Sequence, residues 1–209
     1  ELSDIYIGMM QFLVASGGIT SHVRLEARPD PQFDCIRLRA EPGLKGTLAS
    51  VSARRSQAGT AWQGRCRVRV LNADGATATE GETPLAFAAD STLSGTVELW
   101  LAFPELRPWS PEDPYLYRVE VTLLDATGTR DGTTVRTGFR TLVTDTKTGN
   151  FLLNGRPLFL RGCGYDSLEP FYGSPPPDKA IYVERLRHLK NYGFNAIRFL
   201  AHTPLREYF

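Results

Sequence analysis

The sequence predicts two architectures in succession: an immunoglobulin-like β-sandwich over residues 33–143, then the first βαβ unit of an α/β domain. Three observations carry this expectation. From Cys35 to Phe139, short segments alternate apolar and polar residues between turn signals. Asn154-Gly155 then sits between two apolar runs. After a proline-rich loop the apolar period lengthens to that of a helix, and an apolar strand follows.

The elements can be justified in chain order. In "SHVRLEARP", Val23, Leu25 and Ala27 alternate with Arg24, Glu26 and Arg28, the period of a half-buried strand. His22 lies on the polar phase, where a solvated histidine is expected. In "CIRLRA", Ile36, Leu38 and Ala40 oppose Arg37 and Arg39. "RCRVRVLN" puts Cys66, Val68 and Val70 on one phase, and "TVELWLAF" does so with Val97, Leu99, Leu101 and Phe103. "YRVEVTLL" repeats the pattern with Tyr117, Val119, Val121 and Leu123, and "TTVRTGF" closes the series. Pro42-Gly43, Asp74-Gly75, the stretch from Pro111 to Pro114 and the stretch from Asp125 to Gly128 mark turns. Six or seven short strands in this length suit a sandwich. Trp109 reads as an aromatic plug near one end of it. The alternate arginines read as a solvated sheet face, balanced by neighbouring acids.

The second half has its own punctuation. Asn154-Gly155 supplies the two positive φ angles of a type I′ hairpin. Pro175 to Pro177 cannot lie inside a helix, and Asp178 is a good N-cap. Tyr182, Leu186 and Leu189 fall on one helical face, and Gly193 is placed to end the helix. "FNAIRFL" follows as a buried strand. A strand–helix–strand order implies parallel strands, whose sheet needs covering on both faces. Residues 145–209 therefore read as the start of an α/β domain whose remainder lies elsewhere, and Phe159, Ile197 and Phe199 as side chains bound for its interior.

Bulk properties exclude some partners. The 209 residues carry 24 basic and 23 acidic side chains, a net charge of +1, which makes no electrostatic case for nucleic acid. No apolar run approaches the roughly 20 residues of a membrane span. The first residue is Glu and no leader pattern follows, so the chain start reads as processed, truncated or incomplete. Cys35, Cys66 and Cys163 are too scattered for a zinc site. Cys35 and Cys66 could pair, but two buried thiols is the simpler expectation. Neither a metal nor a cofactor is expected.

Five pieces occur in a telling order: "WSPEDPYLYRVEVTLLD", "GFR", "FLLNGRPLFLRG", "LKNYGFNAIR" and "H-x-P". In this order and spacing they resemble glycoside hydrolase family 2, the β-galactosidases, β-glucuronidases and β-mannosidases. The resemblance is strong over 109–209 and weaker over 17–31. It implies the end of a jelly-roll domain at 1–31, the sandwich at 32–144 and the opening of a (β/α)8 catalytic barrel at 145–209. Leu158 to Gly162 would be barrel strand one and Asn195 to Leu200 strand two.

The same resemblance implies a retaining glycosidase that cleaves terminal β-linked sugars by double displacement, using two carboxyl groups about 5 Å apart. Both would follow Phe209, so no catalytic residue is assigned here and the 1–209 chain alone is expected to be inactive. Glu184 falls on the helix, and Glu169 in the first loop has a surface or substrate-side role. Barrel sites are built at strand C-termini. The loop after strand one carries Tyr165 and Asp166, with Asp166 where many members have a histidine. Arg198 lies inside strand two, expected buried and in need of an acid. His202 follows that strand. Asp166, Arg198 and His202 are the candidate substrate-binding residues, and His188 reads as a surface residue. The expected partners are a carbohydrate and the remainder of the same polypeptide, or another chain, completing the barrel. A second reading is a non-catalytic scaffold or carbohydrate-binding protein. An Asn-Glu pair ending strand four and a Glu ending strand seven would favour the enzyme.

Overall fold

The computed structural model describes residues 23, 25–56, 59–89, 95–165, 178–199 and 208. The chain divides into two units, Glu26–Leu158 and a second containing Phe159–Phe209.

The first unit is built from β1 (Gln32–Ala40), β2 (Gly46–Arg54), β3 (Trp62–Leu71), β4 (Thr77–Phe87), β5 (Gly95–Ala102), β6 (Tyr117–Asp125) and β7 (Gly128–Thr137). One antiparallel sheet has the order β1-β2-β5 and the other β4-β3-β6-β7. Their apolar faces share one core. Phe33, Ala49, Val51, Ala53 and Leu101 come from the first sheet; Cys66, Val68, Val70, Leu85, Phe87, Tyr117, Val119, Val121 and Leu123 come from the second. Each large aliphatic side chain so buried stabilises by about 1.5–3 kcal/mol relative to exposure. The alternating phases expected in β3, β5 and β6 run as the pleat requires.

Two strands had no clear signature in the sequence. The inward residues of β2 are Thr47, Ala49, Val51 and Ala53, all buried but mostly small. The first half of β4 is largely polar and lies at a sheet edge, where Pro84 is tolerated. Cys35 and Cys66 are free thiols. Burial pushes the Cys66 thiol up to about 11, which keeps it protonated and inert. On the outer face of the second sheet Arg65 and Arg67 pair with Glu82, and Arg69 with Glu80 and Glu120. The strand expected around Val23 to Ala27 does not form among the described residues: Val23 and Leu25 are exposed and residues 25–29 join no ladder. Alternation gives a segment one apolar face, but a strand also needs a neighbour to accept its backbone hydrogen bonds.

A three-stranded antiparallel sheet, β10-β9-β8, ends this unit, from β8 (Leu142–Thr144), β9 (Phe151–Leu153) and β10 (Arg156–Leu158). Asn154 and Gly155 turn between β9 and β10 with φ of 51° and 77°, as a type I′ turn demands.

In the second unit β11 (Gly162–Tyr165) and β12 (Ala196–Phe199) pair in parallel, with α1 (Lys179–Asn191) between them in sequence. The Asp178 side chain accepts the Ala180 N–H at 2.9 Å and so caps the helix. At the other end Gly193 adopts φ 84°, its N–H donating to Lys190 O and the Phe194 N–H to Leu189 O. That pair of bonds is a Schellman termination. The expected helix face is present, with Tyr182 buried and Leu186 and Leu189 half-buried.

The first parallel strand lies later than expected. It covers Gly162–Tyr165, and Leu158 instead completes the hairpin. The reason is local. The Asn195 side chain accepts the Arg161 N–H at 2.8 Å and donates to Phe159 O at 3.0 Å. The Asn195 N–H donates to Arg161 O, and Arg161 Nε donates to Gly193 O. These bonds occupy the backbone up to Arg161, so the ladder opens at Gly162.

Candidate functional site

Parallel pairing sets the geometry of the candidate site. Gly162 pairs with Ala196 and Tyr165 with Phe199, so both strands end at the same edge. Residues 166–177 follow one strand and residues 200–207 follow the other. Asp166, Glu169 and His202 belong to those stretches and lie outside the described residues. Arg198 alone of the three candidates is described, one residue before the end of β12 and opposite Gly164.

Arg198 is exposed rather than buried, and among the described residues it has no carboxylate partner. Burial was expected because the strand reads as apolar, but a two-stranded pair leaves this position open to solvent. Among the described residues, a Cβ added to Gly164 would meet no heavy atom within 4 Å, so none of them crowds the strand beside Arg198. An exposed, permanently charged guanidinium can take a carboxylate or sugar hydroxyls. Glu184 and His188 are exposed on α1, as expected for a helix surface.

The sequence motifs meet elsewhere. The backbone N–H of Trp109, in "WSPEDPYLY", donates to Phe139 O of "GFR" at 2.9 Å. The Trp109 ring lies against Gly138, where a Cβ would come within 2.6 Å of it, and under the Arg140 guanidinium at 4.9 Å. Asn154 of "FLLNGRP" donates from Nδ2 to Trp109 O at 3.0 Å and accepts the Thr141 N–H at Oδ1. Half-buried Trp109 is therefore the expected plug. Within the same loop Arg107 grips Asp113 through two bonds of 2.7 and 2.8 Å and lies over the Tyr115 ring. The Asp113 side-chain bonds raise the Arg107 pKa, and the Arg107 side chain holds Asp113 below the usual carboxylate range. The buried Tyr117 hydroxyl accepts the Arg107 N–H at 2.8 Å. A cavity of about 450 Å³ adjoins this junction, between Pro108, Ser110, Glu112, Leu153 and Arg156.

Residues 37–140 match the family model described as glycosyl hydrolases family 2. The chain belongs to glycosyl hydrolase family 2. The β-galactosidase of Photobacterium profundum is 38% identical over 101 residues, which is 48% of this chain and 9% of that protein. A putative β-glucuronidase of Formosa agariphila is 36% identical over 132 residues, 63% of this chain and 12% of that protein. The chain thus spans about a tenth of the length of the curated relatives it matches. Among solved structures, a family 2 member from Bacteroides cellulosilyticus superposes with TM-score 0.72 at 20% identity, over 85% of this chain and 24% of that one. The Ruminococcus gnavus β-glucuronidase in complex with D-glucuronic acid gives 0.65 at 20% identity, over 86% and 28%. At such identities these two likenesses bear on the fold alone.

The family 2 motifs are thus legible as structure. Trp109, Phe139 and Asn154 fix the hairpin to the two-sheet unit; Arg161 and Asn195 fix the foot of the parallel pair. The side-chain roles of Asn154 and Asn195 were missed in the sequence, where Asn154 signalled only a turn.

Proposed function

We propose that this chain is part of a retaining glycoside hydrolase that removes terminal β-linked sugars by double displacement. In this reading residues 32–144 are an immunoglobulin-like sandwich. Residues 145–209 open a (β/α)8 barrel, and residues 1–31 end a jelly-roll domain. The observation that carries it is the in-register parallel pairing of β11 with β12 in a family 2 chain, with one helix between them in sequence. In such barrels the edge where strands end holds the active site. Arg198 stands one residue from that edge; in sequence Asp166 comes directly after β11 and His202 shortly after β12. They are the proposed sugar-binding groups, with carbohydrate as the partner.

The acid and the nucleophile belong to the remainder of the polypeptide, or to another chain that completes the barrel. One carboxyl group protonates the leaving oxygen while the other attacks the anomeric carbon; water then releases the sugar. A guanidinium beside the nucleophile favours its ionised form by lowering its pKa, which is the role given to Arg198.

Aryl β-galactosides and aryl β-glucuronides test this directly. The 1–209 chain should give no turnover above a mock preparation, and the longer product of the same gene should hydrolyse at least one of them. In that longer protein Arg198→Ala should lower kcat/KM by about 10²-fold or more. Turnover by the 1–209 chain, or none by the longer protein, overturns the reading.

A further inference from the structure

All three tryptophans of the chain rest on a glycine. A Cβ on Gly64 would stand 2.3 Å from the Trp62 ring, one on Gly138 2.6 Å from Trp109, and one on Gly46 2.2 Å from Cζ2 of Trp100. For two of them the other surroundings explain the packing. Trp62 donates its indole N–H to Asp125 and meets Phe87; Trp109 is covered by Arg140. Trp100 differs. It is 51% exposed, and among the described residues its indole has neither a hydrogen-bond acceptor nor a ring or cation partner. The benzo ring of the indole lies on Gly46, and about half of the side chain stays open to solvent.

Trp100 lines a groove of about 720 Å³ together with Arg39, Leu48, Arg140, Leu142 and Val143. Arg39, Leu48 and Trp100 form one cross-strand row on the outer face of β1, β2 and β5. Two strand spacings separate the arginine from the tryptophan, about 10 Å between Cα atoms. Arg39 is exposed and has no carboxylate partner among the described residues. The carboxylate of Glu41, the one acid lining the groove, is engaged by the N–H groups of Gly43 and Lys45. The groove therefore combines a flat aromatic surface, an aliphatic floor at Leu48, and a net positive rim.

We propose that this groove is an accessory binding site for an acidic oligosaccharide, with a hexuronate ring stacked on Trp100 and its carboxylate on Arg39. A pyranose presents an apolar face of C–H bonds, which suits a rigid ring held on glycine, and the ring's acid suits an unpaired guanidinium. The volume falls within the range of small-molecule sites. A protein partner needs roughly 800 Å² on each side, far more than the few exposed apolar side chains here. The site stands apart from the hydrolytic reading, because it is read by binding with no turnover.

The probe is a hyaluronan tetrasaccharide, with cellotetraose as the neutral control, titrated into the purified chain and followed by the three indole N–H resonances. The Trp100 resonance should shift while those of Trp62 and Trp109 stay still. Trp100→Ala should weaken binding about tenfold or more, the equivalent of about 1.4 kcal/mol, and Trp100→Phe should weaken it less. Arg39→Met should weaken the acidic probe several-fold and leave the neutral one unchanged; it also serves as the variant of record if Trp100→Ala fails to fold. No Trp100 shift at millimolar probe overturns the proposal, as does binding that survives both substitutions. So does a dimer that Trp100→Ala returns to monomer, which would assign the face to a second copy. Shielding of Trp100 from acrylamide in the longer gene product would assign it to another domain and overturn the proposal equally.

Discussion

The two-sheet unit and the parallel-strand unit differ in how they are held. The first buries a continuous set of side chains from both sheets, from Phe33 through Val68 and Val121 to Phe139. In the second, Tyr182 is the one fully buried side chain among the described residues, and Phe159, Leu160 and Tyr192 are exposed. Local bonds do most of the specifying there: the Asp178 cap, the Gly193 termination and the Arg161–Asn195 clamp. An antiparallel sandwich can close a core from neighbouring strands, whereas a parallel pair needs further layers to cover it. The contrast teaches that strong local signals fix an element's identity without giving it a core.

Amide exchange on the purified chain would be the most direct way to break this comparison. Amides of β3 and β6 should exchange only by global unfolding, and those of β11 and β12 faster by orders of magnitude. Equal protection across both units would end the contrast. Next in size, Tyr117→Ala removes a side chain 2% exposed that meets the rings of Phe103, Tyr115 and Phe139. It should cost about 3–5 kcal/mol in urea unfolding. A loss under 1 kcal/mol would show that this core does not carry the first unit.

Asn154→Ala should cost about 2–3 kcal/mol. It loses two side-chain hydrogen bonds and puts alanine at a left-handed φ. Asn154→Gly should recover about 1 kcal/mol, because only the backbone part is relieved. If alanine and glycine behave alike, the clamp to Trp109 dominates and the turn geometry does not.

Asp125 contributes to the pH dependence. The Arg130 side chain, then the Thr127 hydroxyl, hold its carboxyl well below the usual range. Its contribution is present above the unfolded value near 4 and is lost as pH falls through the lower folded value. Asp125→Asn should therefore flatten the acid limb of the stability curve and leave neutral pH less stable. An unchanged acid limb would assign acid sensitivity elsewhere. The smallest effect belongs to Phe159→Ser. That side chain is 76% exposed, so the substitution should stay within about 0.5 kcal/mol; a larger loss would reveal burial against a partner.

What the sequence determined by itself was whatever depends on near neighbours. The pleat phases of β3, β5 and β6 follow from alternation, the hairpin from Asn154-Gly155, and the helix limits from Asp178 and Gly193. The family 2 motifs were legible too, since each is a short run of neighbouring residues. Tertiary structure decided the rest. It made a strand of Thr47, Ala49, Val51 and Ala53, whose small side chains carry little apolar signal until a second sheet covers them. It joined Trp109 to Asn154, 45 residues away, and so gave a turn residue its second role. It left Arg198 in solvent, although its strand reads as buried, because burial depends on how many layers surround a strand. It also set Trp100 on Gly46 with about half of the side chain in solvent, a contact that exists only once β2 and β5 are side by side. Spacing along a chain encodes local geometry, while exposure and partnership are set by residues that meet only on folding.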